Sequence, residues 1–542
     1  EYPEGMDLTI SLIDRAVFAK AEEYIMAKRE ITKREYSAVN DAFIQTNVGN
    51  KQREIIYNSR YTSTLVVEAT KAEIESYAKK DIVEEITLFV ETIQVPDLNI
   101  TLGQIGADSL TGTKSSSFNG GAGYRGTNIK IGILEANRGR FDSSAPQLKT
   151  ISNSRLIFKN NAGIGGTPLL FPVVNEHATV VTSIIVGQSV SVGGTAYEGV
   201  VPLATVYQTP IDTQQHVFNG IQKLADEGCL VINYSGGYDT GNLYDSYDKE
   251  VDNLIKNTAI VFVNSAGNTG NGTTNILSPG KALNAITVGN AQTKSNASTA
   301  SASPYSMRTS SSFDTPSYLP NKPDISAPGS FIRVVKSTSG SDNFYYNNGA
   351  DATGTSAAAP MVTGIVAQMI QARPSGALIT NIKTQLLAGA QASKISTTNN
   401  PSAGNYLRQK SGTGLVDAKK SVNVIRNINS VTNHRTLTNT GQVSSFSMGY
   451  FNSSQKVRVV MTFYSLGPAG NITQLSQRDD IDISIINNAT GNSVANSLSG
   501  YNNVEIIEYT FVATGWYNIR LNASRVLALS PGVVAVVTWT LI

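Results

Sequence analysis

Apolar and polar positions alternate in three different textures along the chain. Up to about residue 98 the chain is rich in Lys, Glu and helix formers and low in Gly. Apolar positions in 12–29 recur at helical spacing, 64–68 reads as a strand, 71–80 as a helix and 82–90 as a second strand. A Gly/Ser-rich junction covers 97–119. From 121 to 427 apolar strands alternate with helical patterns, the signature of a parallel sheet covered by helices. Within it, 129–135 predicts a buried parallel strand ending in Glu135, and 357–370 predicts a buried helix. Residues 271–312, rich in Asn, Ser and Thr, read mostly as loop. From about Asn429 short alternating strands follow, at 457–463, 481–486, 504–511 and 516–521, with turn residues between them. They predict an antiparallel β-sandwich. The expected division is therefore 1–98, 99–428 and 429–542.

At 542 residues the chain has room for two to four domains. Lys and Arg number 43 against 41 Asp and Glu, a formal charge of +2. That balance offers no nucleic-acid or membrane-surface signal, so neither is expected as a partner. Cys229 is the single cysteine and lies in an apolar run, which makes it structural. One cysteine does not argue against secretion, because a domain with a large core needs no disulfide staples. No apolar run approaches the roughly 18 residues of a membrane span. The charged start, Glu1-Tyr2-Pro3-Glu4, lacks a signal-peptide core. The expectation is a secreted protein whose signal is absent from this chain.

The most informative chemistry is Gly354-Thr355-Ser356-Ala357-Ala358-Ala359-Pro360. It places Ser356 at a helix N-terminus, where unpaired N–H groups and the dipole favour the oxyanion that a nucleophilic serine creates. Such a serine needs a base. His177 opens a run of small and β-branched residues, whereas His216 lies in a polar stretch and His434 beyond the domain boundary, both as surface histidines. The base needs an acid to fix its tautomer. Glu135 ends a buried strand, where α/β sites are built. Asp142 falls past the strand end in a loop.

With acid, base and nucleophile in the order Glu135, His177, Ser356, the chain resembles the subtilisin-like serine proteases. The resemblance covers roughly residues 104–427. Beside the serine and histidine motifs it includes Val263-Asn264-Ser265-Ala266-Gly267-Asn268, Val231-Ile232-Asn233-Tyr234-Ser235-Gly236-Gly237, Lys322-Pro323-Asp324-Ile325-Ser326-Ala327-Pro328-Gly329, and Gly412-Thr413-Gly414-Leu415-Val416-Asp417-Ala418. It implies an α/β fold with a mostly parallel sheet and helices on both faces. It implies peptide-bond hydrolysis through an acyl-enzyme, with Asn268 on the oxyanion and Ser235, Gly236 and Gly237 pairing with the substrate backbone. The 64–90 pattern resembles the family's inhibitory propeptide, which implies a zymogen whose partners are a protein or peptide substrate and its own N-terminal region. The terminal strands weakly resemble the β-sandwich modules that follow the catalytic domain in many secreted proteases.

Three positions depart from the family pattern. Glu135 stands where Asp is usual, Ala178 follows the histidine where Gly is usual, and Gly236 stands where a larger residue is common. The Glu keeps an alternative open, a catalytically inactive regulator on the same fold. The sedolisins, another family on this fold, use Glu and Asp where this chain has His177 and Asn268, so that resemblance fails. No cofactor is required by the chemistry. Relatives often carry structural calcium, but no ligand set is assignable; Asp480 and Asp482 share a strand face that reads as an exposed polar face. Asn-x-Ser/Thr sequons, among them those that begin at Asn271, Asn296, Asn452, Asn471, Asn488 and Asn522, decide nothing by themselves.

Overall fold

The computed structural model describes residues 15–48, 55–86, 105, 107, 123–160, 171–192, 195–241, 243–270, 276–292, 305–314, 321–332, 352–397, 408–464, 478–500, 502–527 and 532–542. The N-terminal part contains a long helix, α1 (Arg15–Phe43), a hairpin of β1 (Ile55–Asn58) and β2 (Leu65–Val67), and a short helix, α2 (Lys71–Tyr77). Thr70 and Glu73 close a capping box at the start of α2.

The central part follows as β3 (Lys130–Glu135), β4 (Gly139–Arg140), β5 (Leu156–Phe158), β6 (Val173–Val174), α3 (Glu176–Val186), a small hairpin of β7 (Val190–Val192) and β8 (Thr195–Tyr197), β9 (Thr205–Pro210), α4 (Gln214–Asp226), β10 (Val231–Tyr234), α5 (Ser246–Thr258), β11 (Val261–Ser265), β12 (Ile286–Ala291), β13 (Ile325–Pro328), β14 (Ser330–Ile332), β15 (Ala352–Thr353), α6 (Thr355–Ala372), α7 (Ile382–Gly389) and α8 (Ala418–Ile425). Seven of these strands form one parallel sheet in the order β13-β12-β11-β10-β3-β9-β5.

Strand alternation divides the core between the two faces of this sheet. Ile131 and Ile133 of β3 point to the face covered by α3 and α6. Leu134 points to the face of α4 and α5. Gly132 shares that second face because a Cβ there would lie 2.7 Å from Leu224 of α4. The two largest apolar clusters therefore lie on opposite faces of the sheet, with β3 between β10 and β9 in its interior.

The expected loop at 271–312 contains β12, whose six residues are all buried. Its Asn and Gly residues disguised it. Asn290 is held from inside, its N–H donating to Ser311 Oγ at 2.9 Å and its Oδ1 accepting from Ser330 Oγ at 3.1 Å. The expected strand over 82–90 also differs. Residues 82–86 are turn and irregular backbone, 87–90 lie outside the described residues, and β2 pairs instead with β1.

The N-terminal part rests on α4 and α5. Arg29 is buried, and its guanidinium donates to Ala225 O (2.7 Å), Thr258 O (2.6 Å) and Cys229 O (3.3 Å). Ala225 and Thr258 lie in the last turns of α4 and α5 and Cys229 just after α4, and Ala225 O also accepts from Gly228 N at 3.0 Å. Glu250 of α5 is buried and accepts from the hydroxyls of Tyr57 (2.8 Å), Thr62 (2.7 Å) and Thr64 (2.6 Å). Burial pushes its carboxyl above the ordinary range against those donors.

The C-terminal part is two packed four-stranded antiparallel sheets built from β16 (Ser430–Leu437), β17 (Val443–Phe451), β18 (Lys456–Phe463), β19 (Asp480–Asn487), β20 (Ser493–Ser497), β21 (Val504–Thr510), β22 (Gly515–Arg525) and β23 (Val533–Leu541). Their orders are β16-β23-β18-β21 and β17-β22-β19-β20, with a shared apolar core between them, as expected of a sandwich. The sandwich docks on α7, where Arg458 of β18 donates to Leu387 O (3.3 Å) and to Ala390 O while pairing with Glu508. Asp480 pairs with Arg525 at 3.7 Å and Asp482 accepts from Ser524. Among the described residues no helix is long and apolar enough to cross a membrane, and no three His, Cys, Asp or Glu side chains gather as a metal site.

Candidate active site

Glu135 and His177 meet at the carboxyl end of the sheet. Glu135 is the last residue of β3, an interior strand, and is only 1% exposed. His177 lies in the first turn of α3, whose N-cap is Asn175, with Oδ1 accepting from Ala178 N at 2.7 Å. The His177 ring is buried, and its Nδ1 is hydrogen-bonded to Glu135 Oε1. That bond fixes the tautomer and makes Nε2 the basic nitrogen. Glu135 Oε2 has no hydrogen-bond partner among the described residues. Asp142 is engaged elsewhere, its Oδ1 accepting from Ser144 N at 2.8 Å and from Ser144 Oγ at 2.6 Å.

Ser356 lies in the first turn of α6, which packs against α3. Gly354 precedes the helix in extended backbone, φ 173°. Pro360 lies inside α6, just past the first turn, and has no N–H to give to Ser356 O four residues before it. The Ser235 hydroxyl takes that carbonyl instead, at 2.6 Å. In return Ser356 Oγ donates to Ser235 O at 3.2 Å. Ser235 is itself held by Asn233 Nδ2 (3.0 Å), whose Oδ1 accepts from Thr363 Oγ1 of α6 (2.9 Å). The end of β10 and the start of α6 are thus cross-linked by side chains around the serine.

Asn268 reaches the same helix start from the loop after β11. Its Oδ1 accepts from Thr355 N (3.0 Å) and Thr355 Oγ1 (3.3 Å), while Gly267 N donates to Thr355 Oγ1 (3.0 Å). With the oxygen engaged, the carboxamide presents Nδ2 as its donor side. Gly236 O accepts from Asn264 Nδ2 at 3.2 Å, so this carbonyl faces the sheet. Gly237 is packed tightly, since a Cβ there would lie 2.6 Å from Leu277.

The two other histidines are occupied away from this cluster. His216 Nδ1 accepts from Asp212 N and Thr213 N, both at 3.3 Å, at the start of α4. His434 Nε2 bonds Asn381 Oδ1 at 2.6 Å. Cys229 is buried, and burial pushes its thiol up to about 12. Thr355, Asn233 and the Ser235 hydroxyl are site residues that motif reasoning passes over. The interior Pro360 was the one available signal, because it predicts a free carbonyl at Ser356.

The family model of the subtilase family, Peptidase S8, matches residues 96–414. Among solved structures the chain is similar to the epidermin leader peptide processing serine protease of Staphylococcus aureus. The identity is 20%, the TM-score 0.48, and 71% of this chain and 96% of that one are covered. It is also similar to the serine protease of Aeromonas sobria, at 13% identity and TM-score 0.41, covering 78% and 89%. The family-model match spans more than half of the chain, so this protein belongs to the subtilase family. It is a subtilisin-like serine protease.

Proposed function

We propose that the protein is an active endopeptidase that uses Ser356 as nucleophile, His177 as general base and acid, and Glu135 as the acid that orients and charge-stabilises His177. The observation that carries this reading is the bond between His177 Nδ1 and the buried Glu135 carboxylate. Ser356 attacks the scissile carbonyl as its proton swings from Ser235 O to His177 Nε2. His177 then hands that proton to the leaving amine, and water repeats the sequence on the acyl-enzyme. The Asn268 Nδ2 group and the Ser356 N–H at the start of α6 hold the oxyanion. Ser235 and Gly237 accept the substrate backbone as an added strand beside β10, with Gly236 turned to the sheet.

The substrate is a protein or peptide, and the protein is secreted and made as a zymogen. The buried contacts of Arg29 and Glu250 support an intramolecular partner role for the N-terminal region. As such a propeptide, the stretch after Val90 would run toward Ser356; residues 91–104 lie outside the described residues. The test is turnover of a peptide substrate by Ser356→Ala and His177→Ala. Each should abolish most of it, and the double variant should be little worse than either single, because such residues act as a unit. Wild-type turnover by Ser356→Ala would refute the assignment.

A further inference from the structure

The chain leaving β3 folds straight back onto the acid. Gly139 N donates to Ala136 O at 2.9 Å, closing a turn whose central residues, Asn137 and Arg138, both have positive φ, 53° and 58°. Non-glycine residues rarely adopt that conformation, and here the surroundings hold it. Arg138 N donates to Ile211 O at 2.9 Å, and the Arg138 guanidinium pairs with Asp212 through Nε at 2.7 Å. Gly139 and Arg140 then pair with β6, and Asn175 N donates to Arg140 O at 3.0 Å. Asn175 caps the helix that carries His177. Gly139 therefore stands between the acid and the base's helix.

Gly139 is absent from the glycines with positive φ, so its dihedrals do not demand glycine. Space does. A Cβ at this position would lie 2.6 Å from Glu135 Cγ, 2.6 Å from Asn175 Nδ2 and 2.9 Å from Ala136 O. Carbon atoms in contact sit about 3.5–4.0 Å apart. Glu135 Cγ is the methylene by which glutamate exceeds aspartate, and it is anchored at both ends, by β3 and by the carboxylate bond to His177. We propose that Gly139 is a positioning residue for the acid: its missing side chain is the space in which Glu135 lays its second methylene, so that Oε1 meets His177 Nδ1. This inference rests on the reading of Glu135 as the acid of the site.

The test is Gly139→Ala in the full chain, read by peptidase kinetics and by NMR titration of the His177 ring. Displacing the carboxylate should lower kcat by about 10–100-fold with little change in KM. It should also lower the pH at which His177 titrates, because the imidazolium loses its anion. Glu135 is the charged partner on the ring, Arg140 and Glu176 lie on the flanking strand and helix, and His434 of the terminal sandwich serves as the unmoved control. With Glu135→Gln as background, Gly139→Ala should move the His177 titration no further. With Glu135→Ala, which removes the γ-carbon, Gly139→Ala should cost no further kcat.

A wild-type titration and kcat in Gly139→Ala would overturn the proposal, as would the same fall in the Glu135→Gln background. If Gly139→Ala does not fold, the Glu135→Ala/Gly139→Ala double variant should fold where the single fails; failure of both counts against the proposal. Should the wild type hydrolyse no peptide, the triad reading falls, while the His177 titration still decides the role of Gly139.

Discussion

At Ser356 both the hydroxyl and the backbone carbonyl are tied to Ser235. Ser235→Ala would leave the buried Ser356 carbonyl without a donor, a cost on the order of 1–3 kcal/mol, and should lower kcat as the serine loosens. Chemical denaturation together with kinetics checks both effects. Asn268→Leu should lower kcat by about 10²–10³ with KM little changed, a magnitude that belongs to subtilisin's own oxyanion asparagine. Thr355→Val keeps Asn268 but removes the hydroxyl that bridges it to Gly267, so a smaller loss, about 10-fold, is expected in the same assay. A KM effect with normal kcat in either variant would mean that Asn268 only binds substrate. The candidates Ser356, His177, Glu135 and Asn268 were named from the sequence because such chemistry demands particular residue types beside recognisable elements. Thr355, the Ser235 hydroxyl and Gly139 were not. Their roles depend on partners brought together only by the fold.

Among the elements, the pattern gave β3 and α6 readily, because an unbroken apolar run next to a site residue has one reading. It missed β12, where Thr, Gly and Asn alternate with buried apolar residues and find their partners inside the protein. It also placed a strand at 82–90, whereas β2 finds its neighbour in β1. Local propensity cannot rank two strand partners when a short segment could satisfy either. Arg29 shows the same limit from another side. In the sequence it is one more basic residue on a charged helix, yet it closes the ends of α4 and α5. Arg29→Met keeps much of the bulk and removes the donors. It should destabilise by roughly 1–3 kcal/mol for each buried carbonyl left unbonded. The urea midpoint of the full chain reads this. An unchanged midpoint would show that water replaces the guanidinium there.

Across the whole molecule, buried charge couples the parts. Lys322 and Lys383 converge on Asp324, in the stretch that leads into β13, at 2.7 and 3.1 Å. Arg458 ties the sandwich to α7, the helix that carries Lys383. On Asp314 burial outweighs the pull of Lys281, Lys322 and an Ile276 backbone hydrogen bond and pushes the carboxyl up to about 7. Its folded value thus lies above its unfolded one. The stability that it contributes is present below about pH 4 and is lost as pH rises through about 7. Asp314→Asn should therefore leave Tm nearly unchanged below about pH 4 and raise it at pH 8, as thermal scans at the two pH values would show. A Tm gain equal at both would mean that the Asp314 carboxyl is not raised in the native state. The parallel sheet and the terminal sandwich were legible because each has its own texture; the contacts that Arg29 and Arg458 make were not, since they rest on single polar residues.

The central claim is that Ser356 is a nucleophile activated by His177 on Glu135. Labelling of the purified protein with a fluorophosphonate probe, mapped by mass spectrometry, tests it most directly. The predicted result is stoichiometric label on Ser356 in the wild type, none in Ser356→Ala and strongly slowed labelling in His177→Ala. An unlabelled wild type, or label on another residue with Ser356 untouched, would contradict the account and favour an inactive member of the family.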